Sequence, residues 1–218
     1  MEITYLGHSS FKFRGKSASL VTDPFDPVMV GLKFPVVEAD IVTVSHDHKD
    51  HNRADLVKGF KKLISGPGEY EVLGVSILGY PSFHDSEGGA KRGKNIIYVF
   101  EFDGLRMAHL GDLGQGLNEE KIAQIGDIDV LFIPVGGEFT IGAKEAVNIA
   151  SEIDPYFIIP MHYQVPGLNK ETFSKLTPVD LFLSESGLSV EKLDKFSIKK
   201  EEIIDDQSTK VIVLETRH

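Results

Sequence analysis

The sequence of 218 residues contains no cysteine. Disulfide bonds, thiolate metal sites and cysteine nucleophiles are therefore excluded. Any metal ion that this chain binds must be held by nitrogen and oxygen ligands, and the 8 histidine side chains are the first candidates for them.

Basic residues are also in short supply, because 23 Lys and Arg stand against 33 Asp and Glu and give a formal net charge of −10. The chain has no run of five or six basic residues. Such a chain repels a phosphate backbone on average, so we expect no nucleic-acid partner. The charge of a small-molecule substrate is left open, since the negative balance is a property of the outer surface.

Long apolar segments are missing too. No stretch of 18 apolar residues occurs, and residues 1–5 begin a strand-like alternation rather than the basic and apolar segments of a signal peptide. We therefore expect no membrane partner and a cytoplasmic location. The length, with 41% hydrophobic and 26% charged residues, predicts one globular domain over residues 1–218, and a homo-oligomer is left open.

Strand-like runs fill the first half of the chain, and helices alternate with strands in the second half. The Asp-Gly pair at 103–104 is typical of a tight hairpin. Capping residues and apolar spacing predict helices over residues 52–58, 118–124 and 144–153, whereas residues 185–210 are charged and weakly patterned. This order predicts an α/β (α+β) fold in which two layers of sheet carry helices on their outer faces.

Residues 25–40 form a loop that is punctuated by Pro and Gly but carries several apolar side chains. Apolar residues in a long loop have two interpretations. The loop either packs on its own domain or acts as a flap over a pocket.

Three histidines and two aspartates fall within the six residues 46–51, directly after an apolar, strand-like run. In an extended chain His46 and His48 project to the same side, which is a spacing that chelates a metal ion. Asp50 and His51 follow where the chain turns, so they point in another direction and suit a second ion. A solvated histidine-rich loop is the alternative interpretation.

Divalent ions need more ligands than this segment supplies. His84, Asp112 and His162 each lie just past the end of a predicted strand. Several strands of a sheet sandwich can aim side chains at one point of its edge, so these three residues are predicted to complete the site.

The run HDHKDH at 46–51 has the form HxHxDH, and in this respect the chain resembles the metallo-β-lactamase superfamily. Within that superfamily it is most similar to the branch that includes the ascorbate-6-phosphate lactonases, through GHSSF at 7–11, TDPF at 22–25, VGG at 135–137 and PMHY at 160–163. The resemblance implies a four-layer αβ/βα sandwich, with two mixed sheets packed face to face and helices outside.

The resemblance also implies a dinuclear metal site with seven protein ligands. The first ion would be bound by His46, His48 and His84, and the second by Asp50, His51 and His162, with Asp112 bridging the two. This donor set suits two Zn²⁺ ions, with Mn²⁺ or Fe²⁺ as alternatives. The candidate catalytic residues are Asp112, Asp50 and His8, the last as a proton donor or a substrate contact.

Two cations in such a site lower the pKa of a bridging water and polarise the bond that the water attacks. The expected function is therefore hydrolysis of a small ester, lactone or phosphoester by a metal-bound hydroxide. His rather than Glu at position 48 argues against the oxygen-reducing di-iron members of the superfamily. A nuclease or cyclic phosphodiesterase, and a catalytically idle metal-binding regulatory module, are the alternatives.

Other polar residues are placed around the ligands. Asp23 is predicted either to hydrogen-bond a ligand imidazole or only to end a strand, and His109 to lie in the core or behind the ligands. The loop 88–94 is interpreted as a solvated turn or as a mobile phosphate contact. Six basic residues are candidates for the mouth of the site: Lys33, Lys49, Arg53, Lys91, Arg92 and Lys94.

Overall fold

The computed structural model describes residues 1–204 and 207–216. In this part of the chain the strands are, in chain order, β1 (Glu2–Gly7), β2 (Ser10–Arg14), β3 (Ser19–Thr22), β4 (Val37–Glu38), β5 (Ile41–Thr43), β6 (Val57–Lys58), β7 (Lys62–Ile64), β8 (Gly68–Val72), β9 (Val75–Phe83), β10 (Lys94–Phe102), β11 (Leu105–His109), β12 (Val130–Pro134), β13 (Phe157–Met161), β14 (Ser189–Leu193), β15 (Phe196–Ser197) and β16 (Lys210–Leu214).

The helices of the described residues are short. They are α1 (Pro27–Val30), α2 (Glu119–Ile125), α3 (Ala143–Ile153), α4 (Lys170–Phe173) and α5 (Val179–Ser186), with single 3₁₀ turns at Ala54–Leu56 and Lys200–Glu202. None of these helices combines the length and the apolar character that a membrane crossing requires.

The strands form two large mixed sheets and one small sheet. The eight-stranded sheet has the order β14-β16-β13-β12-β11-β10-β9-β8, and it is parallel from β14 to β11 and antiparallel from β11 to β8. The six-stranded sheet has the order β15-β1-β2-β3-β5-β7. Strands β4 and β6 pair separately.

The two large sheets pack face to face over an aromatic core. The Phe132 ring on β12 lies 4.7 Å from the Phe11 ring and 5.2 Å from the Phe13 ring, both on β2. Phe100 on β10 and Ile3 on β1 are buried in the same cluster. Large apolar side chains from both inner faces therefore hold the sheets together, as the sequence predicts.

The outer faces of the two sheets are covered differently. Helices α2, α3 and α5 lie on the eight-stranded sheet, where Ile125, Ala146, Ile149 and Phe182 are buried with Val99 and Leu131. The six-stranded sheet is covered by the β4-β6 pair instead, since Val37 and Val57 pack on Val21 and Val42. Helices are therefore few, and the longer ones lie on one side of the sandwich.

Several local predictions are confirmed and one is wrong. Strands β10 and β11 form the hairpin, with Asp103 (φ 54°) and Gly104 (φ 79°) in the left-handed conformation that a type I′ turn requires. Asn118 caps α2 through the backbone N–H of Lys121. The prediction of a helix over residues 52–58 is wrong. The chain makes one 3₁₀ turn, and Val57 then begins strand β6, which pairs with β4.

The loop at 25–40 packs on its own domain. Asp26 caps α1 through the backbone N–H groups of Val28 and Met29. The buried side chains of Phe25, Val30 and Leu32 cluster with Leu168 and Phe173. A hydrogen bond of 2.9 Å from Asn169 N to Val30 O ties the loop to the start of α4. These contacts favour the first of the two interpretations of the loop.

Candidate metal centre

The predicted ligands are brought to one end of the sandwich because each follows a strand. His8 lies after β1, His46 and His48 after β5, His84 after β9, Asp112 after β11 and His162 after β13. The side chains form three groups, and within each group the donor atoms lie within 4.8 Å of one another. The groups are His46, His48 and His84; His46, His51 and Asp112; and His8, Asp50, His51 and His162. All seven predicted ligands are therefore close together, and His8 joins them.

Asp112 lies at the centre of this cluster, with a side chain that is 1% exposed. Its Oδ2 atom is 3.2 Å from Nε2 of both His51 and His162, and 3.3 Å from Nε2 of His84. The Nε2 atom of His46 lies 3.9 Å from the same oxygen. One carboxylate oxygen thus faces four imidazoles from three segments of the chain, since His46 and His51 both belong to residues 46–51.

Asp23 and Ser45 fix the orientation of two imidazoles. Asp23 Oδ2 lies 2.9 Å from Nδ1 of His51 and accepts a 2.6 Å hydrogen bond from the Ser45 hydroxyl. Ser45 Oγ in turn lies 3.0 Å from Nδ1 of His46. Because Asp23 takes the hydroxyl proton, Nδ1 of His46 is the donor to Ser45. When the two rings are neutral, this arrangement keeps each proton on Nδ1 and the lone pair on Nε2.

The donor atoms that face the centre have no hydrogen-bond partner of suitable geometry among the described residues. These buried atoms are Nε2 of His46, of His51 and of His162, and Oδ1 of Asp112. An unsatisfied buried polar atom costs about 1–3 kcal/mol, so four at one point call for a ligand. Imidazole nitrogens and carboxylate oxygens without protons are the donor set of a divalent metal ion, and the residues fit one.

The electrostatics of the cluster also favour a cation. Burial raises the pKa of the Asp112 carboxyl, but the imidazoles of His162 and His51 outweigh burial and hold this pKa well below its usual range. Burial lowers the pKa of His51, but Asp112 and Asp50 outweigh it and raise that pKa well above its ordinary value. The two carboxylates therefore attract positive charge to the position that Nε2 of His51 faces.

His8 lies behind Asp50. Its Nε2 atom is 3.2 Å from Asp50 Oδ2, and its side chain is 0% exposed. Burial, together with the nearby His162, lowers the pKa of His8 to about 4. The ring centroids of His8 and His162 are 4.1 Å apart. His8 is therefore a neutral imidazole near pH 7 that contacts the cluster through a candidate ligand.

The backbone around the centre is constrained. His8, Asp23 and His162 have φ angles of 57°, 41° and 54°, a conformation that is uncommon for non-glycine residues and persists where the surroundings enforce it. Gly114 has a different constraint, since a Cβ atom there would lie 2.2 Å from the carbonyl carbon of His84. The chain after β11 must therefore be glycine at this point for His84 and Asp112 to approach each other.

Ser45 and Asn95 support the candidate ligands but are not predicted from the sequence. Asn95 accepts a 3.0 Å hydrogen bond from the backbone N–H of Asp112 and donates to Ser82 Oγ and to the Leu110 carbonyl. The sequence signal for Asn95 is that a single amide side chain precedes the apolar run of β10. Nothing in the sequence alone connects it to Asp112, because the two residues are 17 positions apart.

His109 lies outside the candidate ligand set, as the sequence predicts. Its Nε2 atom is 2.9 Å from the Ser9 carbonyl oxygen, and its Nδ1 atom accepts a hydrogen bond of 3.2 Å from the backbone N–H of Gly111. Both ring nitrogens are thus used within the protein, and the ring packs near Phe11 and Phe132.

Two cavities adjoin the centre. The smaller, of about 280 Å³, is lined by Met29, His48, Asp50, His84, Arg92, Asp112, Phe139, Thr172 and Phe173. The larger, of about 930 Å³, reaches His46 and His48 from the other side and includes Arg92 and Lys94 in its wall. Among the other basic residues proposed for the mouth, Arg53 pairs with Asp26 and Asp55, and Lys91 pairs with Glu87.

Comparisons with known proteins show which family and which chains this sequence is similar to. The family model described as "Beta-lactamase superfamily domain" matches residues 2–162. A protein named UPF0173 metal-dependent hydrolase from Thermococcus onnurineus is 30% identical, with 81% of this chain and 92% of the relative covered. One of the same name from Methanoculleus marisnigri is 31% identical, with 88% and 96% covered.

One solved structure has a higher sequence identity to this chain than these two relatives and matches nearly its whole length. The crystal structure of a Thermotoga maritima protein, named as a candidate Zn-dependent hydrolase of the metallo-β-lactamase superfamily, is 40% identical with a TM-score of 0.81 and covers 99% of both chains. None of the three names refers to an ascorbate-6-phosphate lactonase, so the placement of this chain in that branch stays a prediction.

Proposed function

This chain belongs to the metallo-β-lactamase superfamily, and from that premise we propose that it is a metal-dependent hydrolase whose reaction takes place beside Asp112. The observation that carries the proposal is the convergence of four imidazoles on Asp112 Oδ2 at 3.2 to 3.9 Å, next to a cavity. The similarity to two relatives that are named metal-dependent hydrolases supports it.

The proposed centre is dinuclear. His46, His48 and His84 would hold one ion, and Asp50, His51 and His162 the other, while Asp112 contacts both groups. Two groups of donor atoms share no residue, and the third group joins Asp112 to one histidine of each, which supports two metal positions. His51 also carries its own hydrogen-bonded carboxylate in Asp23. Zn²⁺ suits a set with five imidazoles, and Mn²⁺ or Fe²⁺ are the alternatives.

When bound, the ions would supply an activated water near neutral pH and positive charge for the oxygen of the bond being broken. The residues of the chain have separate tasks. Asp23 and Ser45 keep the protons of His51 and His46 on Nδ1, so that each Nε2 faces the centre. Asn95 fixes the backbone of Asp112 and thereby the direction of its carboxylate.

His8 is proposed as a positioning residue rather than a substrate contact. Its fully buried ring lies against Asp50, whereas Asp50 itself lines the smaller cavity. A proton on Nε2 of His8 would donate to Asp50 Oδ2 and leave the other carboxylate oxygen free to bind an ion. Asp50 and Asp112 are then the carboxylates that border the reaction, and His8 acts through the first of them.

The substrate is proposed to be a small ester, lactone or phosphoester. A cavity of about 280 Å³ holds a compact group, and the apolar side chains of Met29, Phe139 and Phe173 form part of its wall. An idle regulatory module would need no such space beside the ligands. The cavity therefore favours a catalyst over a module that only binds metal.

The test is a hydrolysis screen with protein loaded separately with Zn²⁺, Mn²⁺ or Fe²⁺ against lactones, thioesters, carboxylic esters and phosphodiesters. Asp112→Ala should lose activity by more than the roughly 10- to 100-fold that loss of an outer hydrogen-bond partner costs. Asp127→Ala, which removes an exposed carboxylate, is the matched control and should behave as the wild type.

Two results would overturn the proposal. The first is equal hydrolysis by the wild type and by Asp112→Ala in proteins whose circular dichroism spectra agree. The second is unchanged metal content and activity after joint replacement of His46 and His48 by alanine.

A further inference from the structure

Arg92 is a charged side chain in the wall of the smaller cavity, and no acidic side chain among the described residues pairs with it. Among the described residues that line the smaller cavity, Arg92 is the one ionised side chain outside the candidate ligands. It also stands in the wall of the larger cavity. Its guanidinium makes no ion pair or hydrogen bond with the residues that the structure describes.

Acidic residues near Arg92 are engaged elsewhere. Glu138, beside Phe139, lies 3.5 Å from Lys175, and Glu87 on the same loop as Arg92 pairs with Lys91. Arg92 is half-buried, so its charge is partly removed from water without a carboxylate to balance it. Arg92 lines both cavities, so an anionic ligand in either cavity could reach its guanidinium.

The backbone that carries Arg92 is held in place by Asp85. This carboxylate accepts hydrogen bonds from the backbone N–H groups of Glu87, Gly89, Lys91 and Arg92 at 2.7 to 2.9 Å. The loop is closed further by Gly93 N to Gly89 O at 3.0 Å and His84 N to Gly93 O at 3.1 Å. The segment is therefore anchored, which disfavours the mobile interpretation of residues 88–94.

The side chain of Arg92 is oriented by an aromatic ring. Its guanidinium carbon lies 5.4 Å from the centroid of Phe139, which lines the same cavity. Stacking against a ring occupies the face of a guanidinium and leaves the N–H groups at its edge free for two parallel hydrogen bonds. Carboxylate and phosphate groups have the geometry that accepts such a pair.

We propose that the substrate carries an anionic carboxylate or phosphate group and that Arg92 binds it through its free N–H edge. The proposal rests on the hydrolase function proposed above and narrows its substrate class. Asp50 and Asp112 face the metal positions, so Arg92 is the residue of the cavity lining with positive charge to spare for the substrate. A protein with a net charge of −10 can therefore bind an anionic ligand, because the charge that the ligand meets in the cavity is the positive charge of Arg92.

The experiment compares three matched esters that differ in one substituent: a carboxylate, a phosphate or a neutral methyl group. For each, kcat and KM are measured with metal-loaded wild type, Arg92→Gln, Arg92→Lys and the control Lys192→Gln, at an exposed position of the edge strand β14. The wild type should prefer one or both anionic esters, and Arg92→Gln should lower the ratio of anionic to neutral kcat/KM about tenfold or more, mainly through KM. Lys192→Gln should keep the wild-type ratio. Arg92→Lys should give a ratio between those of the wild type and Arg92→Gln, since lysine is a point charge without a bidentate edge.

A second measurement does not depend on turnover. Binding of inorganic phosphate to the same metal-loaded proteins, measured by calorimetry, should weaken about tenfold or more in Arg92→Gln and not in Lys192→Gln. Equal effects of Arg92→Gln on neutral and anionic esters, or unchanged phosphate binding, would overturn this inference and leave the hydrolase function standing. Absence of hydrolysis of any ester with intact, Arg92-dependent phosphate binding would instead contradict the proposed function.

Discussion

Nδ1 of His51 and Oδ2 of Asp23 are joined by a hydrogen bond of 2.9 Å between two side chains that are almost completely buried. The same oxygen accepts from Ser45, whose hydroxyl reaches Nδ1 of His46. One aspartate outside the candidate ligand set thus orients one imidazole in each half of the proposed dinuclear centre.

Replacement of Asp23 by Asn should weaken metal binding about 10- to 100-fold, which is the usual cost of losing a partner that orients a metal-binding histidine. Competition with a chromogenic chelator measures the dissociation constant. Asp127→Asn, at an exposed position, is the control. Should Asp23→Asn fold poorly, Ser45→Ala tests the same link through His46. Equal affinities of Asp23→Asn, Ser45→Ala and the wild type would refute this orienting role.

Replacement of His8 by Ala should lower the affinity for the ion beside Asp50, because it removes the group 3.2 Å from the Asp50 carboxylate. A loss of about tenfold or more is expected for such a contact. His8→Gln should recover part of the loss, since its amide N–H can still donate. Metal content after dialysis against a limiting chelator is the measurement. Full metal retention by His8→Ala would show that His8 has no part in the centre.

Asp40 gives a pH-dependent prediction away from the centre. Hydrogen bonds from the Ser19 hydroxyl and backbone N–H, with help from Lys61, lower the pKa of the Asp40 carboxyl. Its stabilising effect is therefore complete above the unfolded pKa of about 4 and fades as the pH falls through the lower folded value. The Tm of Asp40→Asn should lie below that of the wild type at pH 7, and the difference should shrink towards pH 3. The exposed Glu71→Gln serves as the control, and a difference that stays constant with pH would contradict the prediction.

Phe132→Ala should lower the free energy of unfolding by about 3–5 kcal/mol, because this ring is fully buried between the two sheets and its removal leaves a cavity. Urea unfolding followed by circular dichroism measures the change. Val190→Ala, at a side chain that is 41% exposed, should change it by less than about 0.5 kcal/mol. Similar values for the two variants would show that the aromatic core does not hold the sheets together.

Local signals with a direct physical cause were readable from the sequence. The Asp-Gly pair predicts the β10-β11 hairpin because the turn needs two left-handed residues, and Asn118 predicts the start of α2 because its side chain can cap a helix. Failures occurred where tertiary contacts decide. Residues 52–58 were predicted to be helical, yet Val57 is buried against Val37 in the small sheet. This burial stabilises the strand conformation over a continued helix.

Helix α5 and strand β14 were missed for a related reason. Four of the eight residues of α5 are polar or charged, and Phe182 is the one residue of this helix that is buried, so its apolar stripe is weak. Strand β14 lies at an edge with four of its five residues exposed and is defined by pairing with β16. Edge elements of this kind depend on a neighbour that is distant in sequence.

The candidate ligands were predictable because the motif at 46–51 and three later residues carry a metal-binding pattern. Their supporting residues were not, since Ser45, Asn95 and Asp85 act through hydrogen bonds that exist only in the folded chain. The role proposed for Arg92 was not predictable either. The sequence offers six basic residues as candidates for the mouth, and only the folded chain shows that Arg92 and Lys94 line the cavities.

The most direct test of the central claim is the number and position of metal ions in protein crystallised after loading with excess Zn²⁺, measured by anomalous scattering at the zinc edge and by elemental analysis in solution. We predict two ions per chain, one among His46, His48 and His84 and the other among Asp50, His51 and His162, with Asp112 between them. One ion per chain, or ions bound away from Asp112, would contradict the dinuclear centre on which the account rests.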